Sequence, residues 1–425
     1  AEELAGGALD VALFAGDLTE DTWKKTGLKD QPDYTTEYNA DIAMLKTAIE
    51  EGIDVNETGV FYCLGNHDTD PSVLGDVMTE MPALFYSQLG EEFFRIDTAD
   101  SEPAEGRRHA VVNGYHFLSV NPARYWTLNG YEKSTLDWLD EKLSTITKES
   151  PDRYVFVTAP PPVYETVNGS CATTWGDADI AAVISKYPQV VYFSGHIHNV
   201  LQDETQISQN GAFTALDCGS VKYTGWMNNV NDNLIKFDND VGTRIDDFSE
   251  GLLVQADVNG NLRVQRCDYV TKNVIKDAWE LSYPQSDGSH LKKYDNESRK
   301  ANNAAPVFAS SSALTVTASG NDVSCVWQAA TDDDMVRYYT LTVYNVNDTK
   351  KTKVKTFYLG TFTYRYDRVE DMPESESWKF TIDDMKKYCE TYKTEYTGEY
   401  YFELRAVDVW FARSEVITAL FSAAE

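Results

Sequence analysis

Three short motifs contain most of the side chains in this chain that are suited to bind a metal ion or transfer a proton. The motifs are Gly16-Asp17, Gly65-Asn66-His67-Asp68 and Gly195-His196-Ile197-His198. The chain has six histidines in 425 residues, and three of them lie in these motifs. Carboxylate, amide and imidazole groups are common ligands of divalent metal ions, and a glycine at the head of each motif lets the backbone turn sharply. The three motifs therefore predict a metal site.

The motifs follow apolar runs that have the composition of buried strands. Four such runs occur: Val11–Ala15, Val60–Leu64, Tyr154–Thr158 and Val190–Ser194. Apolar residues at helical spacing in Tyr38–Glu51 and Leu136–Ile146 predict helices between them. This alternation indicates an α/β domain, a layered β-sandwich flanked by helices. Functional side chains gather beyond the carboxyl ends of strands in such sheets, so we expect the three motifs to meet at one edge.

The motifs resemble those of the calcineurin-like metallophosphoesterase family. The matching segments are GDLTED (16–21), GNHD (65–68) and GHIH (195–198), in the order in which the family carries them. The resemblance covers roughly residues 1–300. It implies a phosphoric ester hydrolase that cleaves a phosphate mono- or diester at a dinuclear centre of two divalent ions, which are Mn, Fe or Zn.

The resemblance also implies a role for each motif residue that matches. Four residues would be metal ligands: Asp17, Asn66, His196 and His198. Asp17 would bridge the two ions, Asn66 and His196 would bind the second ion, and His198 would bind the first. Two ions held in this way activate water for attack on phosphorus and neutralise the phosphoryl oxygens.

Three further residues are candidates for catalysis or substrate binding. By the same resemblance, His67 would protonate the leaving oxygen and Asp68 would hold the His67 ring. Arg124 lies in Asn121–Trp126, directly after a strand-like run. Its guanidinium suits a bidentate contact with phosphate, and an ordinary surface arginine paired with a carboxylate is the alternative.

Two departures from the family pattern bear on activity. The family's first strand ends in Asp-x-His, but no Asp lies two residues before any histidine in this sequence. Ala1–Gly7 resembles the helix after that strand, so we expect the chain as given to begin beyond it. Ala159, in the run that ends Thr158-Ala159-Pro160, stands where the family has a histidine ligand. A second hypothesis is therefore a catalytically impaired, phosphoesterase-like binding or scaffold module, with one metal ion or none.

The sequence changes character after about residue 300. The following runs predict strands: Leu314–Ala318, Val323–Gln328, Tyr338–Tyr344, Phe357–Tyr366 and Tyr400–Val407. Short, closely spaced strands predict an all-β sandwich, and the segments around Trp327 and Tyr400 resemble a fibronectin type III domain. We expect domain boundaries at 1–303 and 304–425. The aromatic residues of the second domain fit a sandwich core or a face that contacts glycans, and an adhesion protein that works through this domain is a third hypothesis.

The amino-acid composition of the chain limits the classes of molecule that it can bind. The chain has 37 Lys and Arg against 68 Asp and Glu, a formal net charge of −31, so nucleic-acid backbone would be repelled and a small phosphorylated substrate is favoured. No apolar run is long enough to span a membrane. An acidic surface with an appended sandwich resembles exported or cell-surface bacterial enzymes, which predicts secretion or the cell surface. Six cysteines are too few for a disulfide scaffold, and pairing of Cys325 with Cys389 stays open.

Overall fold

The computed structural model describes residues 2–19, 34–69, 81–171, 175–224, 229–230, 235–239, 249–348, 350–361 and 372–423. The described residues form two compact units. The first lies within 1–201, 205–223 and 246–298, and the second lies within 202–204, 224–245 and 299–425.

The first unit alternates strands and helices. Its strands are β1 (Val11–Ala15), β2 (Gly59–Cys63), β3 (Arg107–Val112), β4 (Tyr115–Val120), β5 (Val155–Thr158), β6 (Val190–Ser194), β7 (Ile207–Ser208), β8 (Thr214–Asp217), β11 (Glu250–Ala256), β12 (Leu262–Asp268) and β13 (Asn273–Leu281). Its helices are α1 (Glu2–Ala5), α2 (Tyr34–Gly52), α3 (Asn66–Thr69), α4 (Met81–Leu89), α5 (Lys133–Glu149), α6 (Asp179–Ile184) and α7 (Asn296–Asn302, which continues past the unit's end). The short strands β9 (Asn229–Val230) and β10 (Ile235–Lys236) belong to the second unit.

A mixed six-stranded sheet forms the centre of the first unit, with strand order β3-β4-β5-β6-β8-β7. Strands β4, β5, β6 and β8 run parallel, whereas β3 and β7 are antiparallel to their neighbours. Strands β1 and β2 form a separate parallel pair, and β11, β12 and β13 form an antiparallel sheet. All strands that precede the three motifs therefore lie in parallel pairings.

Alternating side chains on the central strands produce the layers. On β5, Val155 and Val157 pack in a core with Leu139 and Leu143 of α5, whereas Phe156 packs on the other face with residues of β12 and β13 such as Trp279. Successive side chains of a strand point to opposite faces, so one buried strand serves both layers. The result is a helix layer, the mixed sheet and a second sheet, which confirms the predicted α/β class.

Most predicted elements of the first unit are confirmed, with shifted ends. Strands β1 and β6 have the predicted bounds, and the two predicted helices are longer than expected by one to four residues at each end. Strands β11 and β12 form a hairpin around Asn259-Gly260. In its loop, the Asp257 carboxylate accepts the N–H groups of Asn259 and Asn261 at 2.8 and 2.9 Å.

In its described residues the second unit contains three antiparallel sheets, a small one that pairs β9 with β10 and two larger ones. Its later strands are β14 (Thr315–Ser319), β15 (Asp322–Gln328), β16 (Val336–Asn347), β17 (Lys350–Gly360), β18 (Ser375–Thr381), β19 (Glu399–Asp408) and β20 (Ile417–Ser422), and α8 (Ile382–Thr391) follows β18. The sheet orders are β14-β15-β18 and β17-β16-β19-β20, and both contribute to one apolar core. The all-β class is confirmed. The strand predicted at Phe357–Tyr366 begins at Lys350, and residues 362–366 lie outside the described residues.

Two further observations concern the cysteines and the helices. All six cysteines, including Cys325 and Cys389, are free thiols. Among the described residues, no helix combines the length and the apolarity that crossing a membrane requires.

Candidate active site

The glycines that begin the three motifs bring the motif loops into contact. A Cβ atom placed on Gly65 would lie 2.0 Å from Oδ1 of Asp17, and one placed on Gly195 would lie 2.9 Å from the Ala15 carbonyl oxygen. The N–H of Gly195 also donates to the Pro160 carbonyl at 3.0 Å. Only glycine, which has no Cβ atom, tolerates such a close approach of its backbone to a neighbouring residue. The three motif loops therefore meet, although they follow strands of two different sheets and not of one as expected.

Asp17 lies at the centre of this contact. Its φ of 54° is in the left-handed region, its Oδ1 accepts the backbone N–H of His67 at 2.9 Å, and its Oδ2 lies 3.9 Å from Nε2 of His198. Burial raises the pKa of Asp17, but the contact with His198 and the charges of His67 and His196 lower it by more, so the net shift is downward. The carboxylate is thus ionised at neutral pH, the form that binds cations.

The two histidines of the third motif sit on strained backbone. The N–H of Ile197 donates to the Gly195 carbonyl at 2.8 Å, which closes a three-residue turn around His196 with φ of 71°. This hand of γ-turn is rare and costs energy, and His198 has φ of 53° as well. Burial lowers the pKa of His196 to about 4, so its imidazole is neutral and has a lone pair available for a metal ion. Strain of this kind is retained where a function needs it.

Asp68 braces the first two motif loops. Its carboxylate accepts four hydrogen bonds, from the N–H groups of Gly65, Leu18 and Thr19 at 2.7, 3.1 and 2.7 Å and from the Thr19 hydroxyl at 2.8 Å. Burial and the charge of Asp17 raise its pKa to about 6. These bonds direct both oxygens of Asp68 to the loops, and its role in holding the His67 ring stays a prediction. The brace explains why an acidic residue ends the GNHD motif.

Asn66 and His67 begin the short helix α3. Asn66 is buried, and within the described ranges its Oδ1 has no hydrogen-bond partner. A buried amide oxygen without a hydrogen-bond partner lowers stability. A metal ion bound by this oxygen would satisfy it, so Asn66 fits the role of a metal ligand. His67 is partly exposed, and its charge lowers the pKa of Asp17.

The position of the missing histidine is beside the site. Ala159 is fully buried and belongs to the same apolar cluster as Ile197, and its N–H donates to the Phe193 carbonyl at 3.1 Å. The next residue, Pro160, lies against Gly16 and binds Gly195. A methyl group therefore occupies the position at which the resemblance expects an imidazole.

Aromatic side chains surround the two histidines, and no motif in the sequence points to them. Tyr125 and Trp175 pack against the ring of His196 with centroid distances of 5.6 and 4.9 Å, and Tyr223 lies edge-on to His198 at 4.4 Å. The signal in the sequence is weak, because aromatic residues in loops follow no spacing rule. Arg124 is exposed, and its Nη2 donates to the Asn129 carbonyl at 3.2 Å. Its contact with phosphate stays a prediction.

The candidate metal ligands have suitable chemistry for a divalent cation, but their side chains are not grouped closely around one point. In the described part of the chain, no three His, Cys, Asp or Glu side chains form a group able to hold a metal ion. Three other features favour a cation site: ionised Asp17, neutral His196 and the unsatisfied Oδ1 of Asn66. The Nδ1 of His198 is likewise buried without a partner among the described residues. Ala159 stands in place of one expected histidine ligand, so these residues fit one cation better than two.

Comparison with known proteins gives a family match. The family model described as calcineurin-like phosphoesterase matches residues 2–200, a little under half of the chain. The matched segment contains all three motifs, so the resemblance is confirmed over these residues. No curated protein sequence matches the chain.

Solved structures are similar only at low identity. A purple acid phosphatase isolated from yellow lupin (Lupinus luteus) seeds is 14% identical with a TM-score of 0.40, and the match covers 64% of this chain and 53% of that one. The spore cortex lytic enzyme SleM of Clostridium perfringens is 12% identical with a TM-score of 0.17, and the match covers 68% and 76% of the two chains. A cytokine receptor complex is 12% identical with a TM-score of 0.17, covering 49% and 90%. The chain thus spans about half the length of the lupin protein.

Proposed function

We propose that the first unit is a metal-dependent phosphoesterase that hydrolyses a phosphate mono- or diester of a small molecule. The observation that carries the proposal is the clustering of strained backbone at three residues with ligand chemistry. Asp17, His196 and His198 all have φ between 53° and 71° and lie on two loops in contact. Each such residue costs about 1–2 kcal/mol in the left-handed region. The match of residues 2–200 to the phosphoesterase model supports the same assignment.

The candidate site residues would have the following roles. Asp17, Asn66, His196 and His198 would hold the divalent cation, and Asp68 would keep the first two loops at their present separation. His67, partly exposed at the start of α3, would donate a proton to the leaving oxygen. When bound, the cation supplies Lewis acidity and charge neutralisation at the phosphoryl group.

The test is metal content and turnover measured on the same preparations. The chain is loaded with Mn²⁺ or Zn²⁺, desalted and analysed by elemental mass spectrometry, and hydrolysis of p-nitrophenyl phosphate and bis(p-nitrophenyl) phosphate is followed. We expect at least one ion per chain. We expect Asn66→Ala to lose metal and turnover together, and His67→Ala to lose at least about a hundredfold in rate with unchanged metal content, as for a proton donor.

His116→Ala is the matched control, because His116 lies at the start of β4 and bonds to His109 away from the motifs. His116→Ala should change neither the metal content nor the rate of hydrolysis. A chain without bound metal and without turnover would instead support the impaired binding module. Ala159→His then separates the two hypotheses further, since a gain of metal and rate in that variant identifies position 159 as a lost ligand.

We further propose that the second unit is a fibronectin III-like sandwich. Its sheets of three and four antiparallel strands around one core support this. Contact of this unit with glycans and a secreted or cell-surface location remain predictions.

A further inference from the structure

One loop of the first unit touches two of the three motif loops. We define the platform loop as residues 121–131, directly after β4. The Tyr125 hydroxyl and the Asn121 side-chain amide both donate to the Leu64 carbonyl, at 2.6 and 2.8 Å, just ahead of the GNHD motif. The Tyr125 ring also packs on His196. The platform loop therefore borders the candidate site at both motifs.

Hydrogen bonds on both sides hold the platform loop in place. The Gly130 carbonyl accepts the N–H of Ala123 at 2.8 Å, and the Gly130 N–H donates to the buried Asp177 carboxylate at 2.7 Å. The Leu128 carbonyl accepts the N–H of Ala178 at 2.7 Å. Hydrogen bonds thus anchor the platform loop at Ala123, Leu128 and Gly130, on either side of Trp126.

Trp126 stands out within this anchored loop. Its φ is 57°, a conformation that strains a bulky residue, and 40% of its surface is exposed. Of the tryptophans within the described ranges, it alone is exposed to this degree. Backbone strain and an exposed indole both cost stability, whereas a glycine would relieve the strain and a polar side chain would suit the exposure.

The indole is near the candidate ligands. Its ring lies edge-on to Tyr125 with a centroid distance of 6.3 Å, and Tyr125 lies 5.6 Å from His196. These two distances place the Trp126 ring within about 12 Å of the His196 ring. An aromatic group joined to phosphorus through a few bonds spans such a distance.

We propose that Trp126 is a specificity-determining residue that stacks on an aromatic ring carried by the phosphate ester. The proposal rests on the phosphoesterase function proposed above and names its substrate class as esters with a planar aromatic or heteroaromatic group. A flat π-face favours another flat ring over an alkyl chain of equal size. Arg124, two residues earlier and exposed, adds a cation to the same loop in a chain of strong negative charge.

The test uses phosphonates, which bind without being cleaved. Dissociation constants for phenylphosphonate, cyclohexylphosphonate and methylphosphonate are measured by calorimetry on the Mn²⁺-loaded chain. Wild type should bind phenylphosphonate more tightly than both others. Trp126→Ala should weaken phenylphosphonate binding about tenfold, as for loss of one stacking contact, and should change methylphosphonate binding by less than about twofold. Trp126→Phe should restore most of the preference.

Tyr283→Ala is the matched control, because Tyr283 is 41% exposed on the same unit. It should leave all three constants unchanged. Equal binding of phenyl- and cyclohexylphosphonate, or no effect of Trp126→Ala, would overturn the aromatic subsite and leave the phosphoesterase function standing. Failure of all three phosphonates to bind would overturn both. If the preference holds, adenosine monophosphate and phosphotyrosine then show which source of the ring is bound more tightly.

Discussion

At the scale of single residues, the glycine of the GNHD motif decides whether the first two motif loops can touch. A Cβ atom on Gly65 would meet the carboxylate oxygen of Asp17 at 2.0 Å and the Asp17 backbone nitrogen at 2.3 Å. Because the nitrogen is backbone, the clash cannot be relieved by turning a side chain. Gly65 therefore fixes the separation between Asp17 and Asn66.

We predict that Gly65→Ala destabilises the first unit by about 1–3 kcal/mol, the usual cost of forcing an extra group into a packed site, and abolishes metal binding. Gly52→Ala is the control. Gly52 ends α2, and a Cβ there meets nothing within 4 Å, so the change should be neutral or stabilising by up to about 1 kcal/mol. Thermal unfolding and metal content of the two variants are compared. Equal behaviour of the two variants would show that the loops separate easily.

The identities of the site residues followed from the sequence, but their conformations did not. Asp17, Asn66 and His196 were expected from motif and order alone. The left-handed backbone at Asp17 and His196 is not encoded by residue type, since Asp and His adopt it only where tertiary contacts impose it. The brace formed by Asp68 depends on contact with Leu18 and Thr19, which lie 50 and 49 positions earlier in the chain. No local pattern in the sequence reveals such a contact.

At the scale of elements, the platform loop positions the end of β2. The Leu64 carbonyl accepts two hydrogen bonds from this loop, from Tyr125 and Asn121. Either donor alone leaves the carbonyl satisfied, whereas loss of both leaves a buried acceptor unpaired, which costs about 1–3 kcal/mol. The two contacts should therefore be coupled.

We predict that Tyr125→Phe and Asn121→Ala each cost about 1 kcal/mol, and that the double variant costs at least about 0.5 kcal/mol more than the single variants added together. The measurement is chemical unfolding of all four proteins, with metal content as a second readout. Tyr187→Phe serves as control, since it removes a tyrosine hydrogen bond to Asp140, which belongs neither to a motif nor to the platform loop. Simple additivity would mean that the loop contributes to stability but does not position the motif.

Element types were easier to predict than their ends. Strands β1 and β6 were predicted with their observed bounds because each is a short apolar run closed by a motif glycine. The strand predicted from Phe357 begins at Lys350 instead, because its first half pairs through backbone with β16 while its side chains are mostly lysine and threonine. Strand β18 and helix α8 were not predicted, since β18 is largely polar and carries a buried acidic residue, Glu376.

At the scale of the whole molecule, the dominant property is the formal charge of −31. Mutual repulsion of so many carboxylates weakens a folded chain at neutral pH, and protonation relieves it as the pH falls. Glu376 adds a separate, local pH dependence that comes from burial. It is 7% exposed and faces Trp327 across the β15–β18 pair, and burial raises its pKa from 4.5 to about 7.

The sign of the resulting pH dependence follows from that shift. The folded chain holds the Glu376 proton more tightly than the unfolded chain, so its contribution to stability is fully present below pH 4.5 and is lost as the pH rises through about 7. We predict that Glu376→Gln matches wild type near pH 4 and becomes more stable by on the order of 3 kcal/mol above pH 7. Glu374→Gln removes the same formal charge at an exposed neighbour and isolates the general effect of net charge. Unfolding free energies of the three proteins between pH 4 and 8 separate the two contributions. If both variants gain the same stability with rising pH, the benefit comes from net charge alone and the buried carboxyl at position 376 carries no special cost.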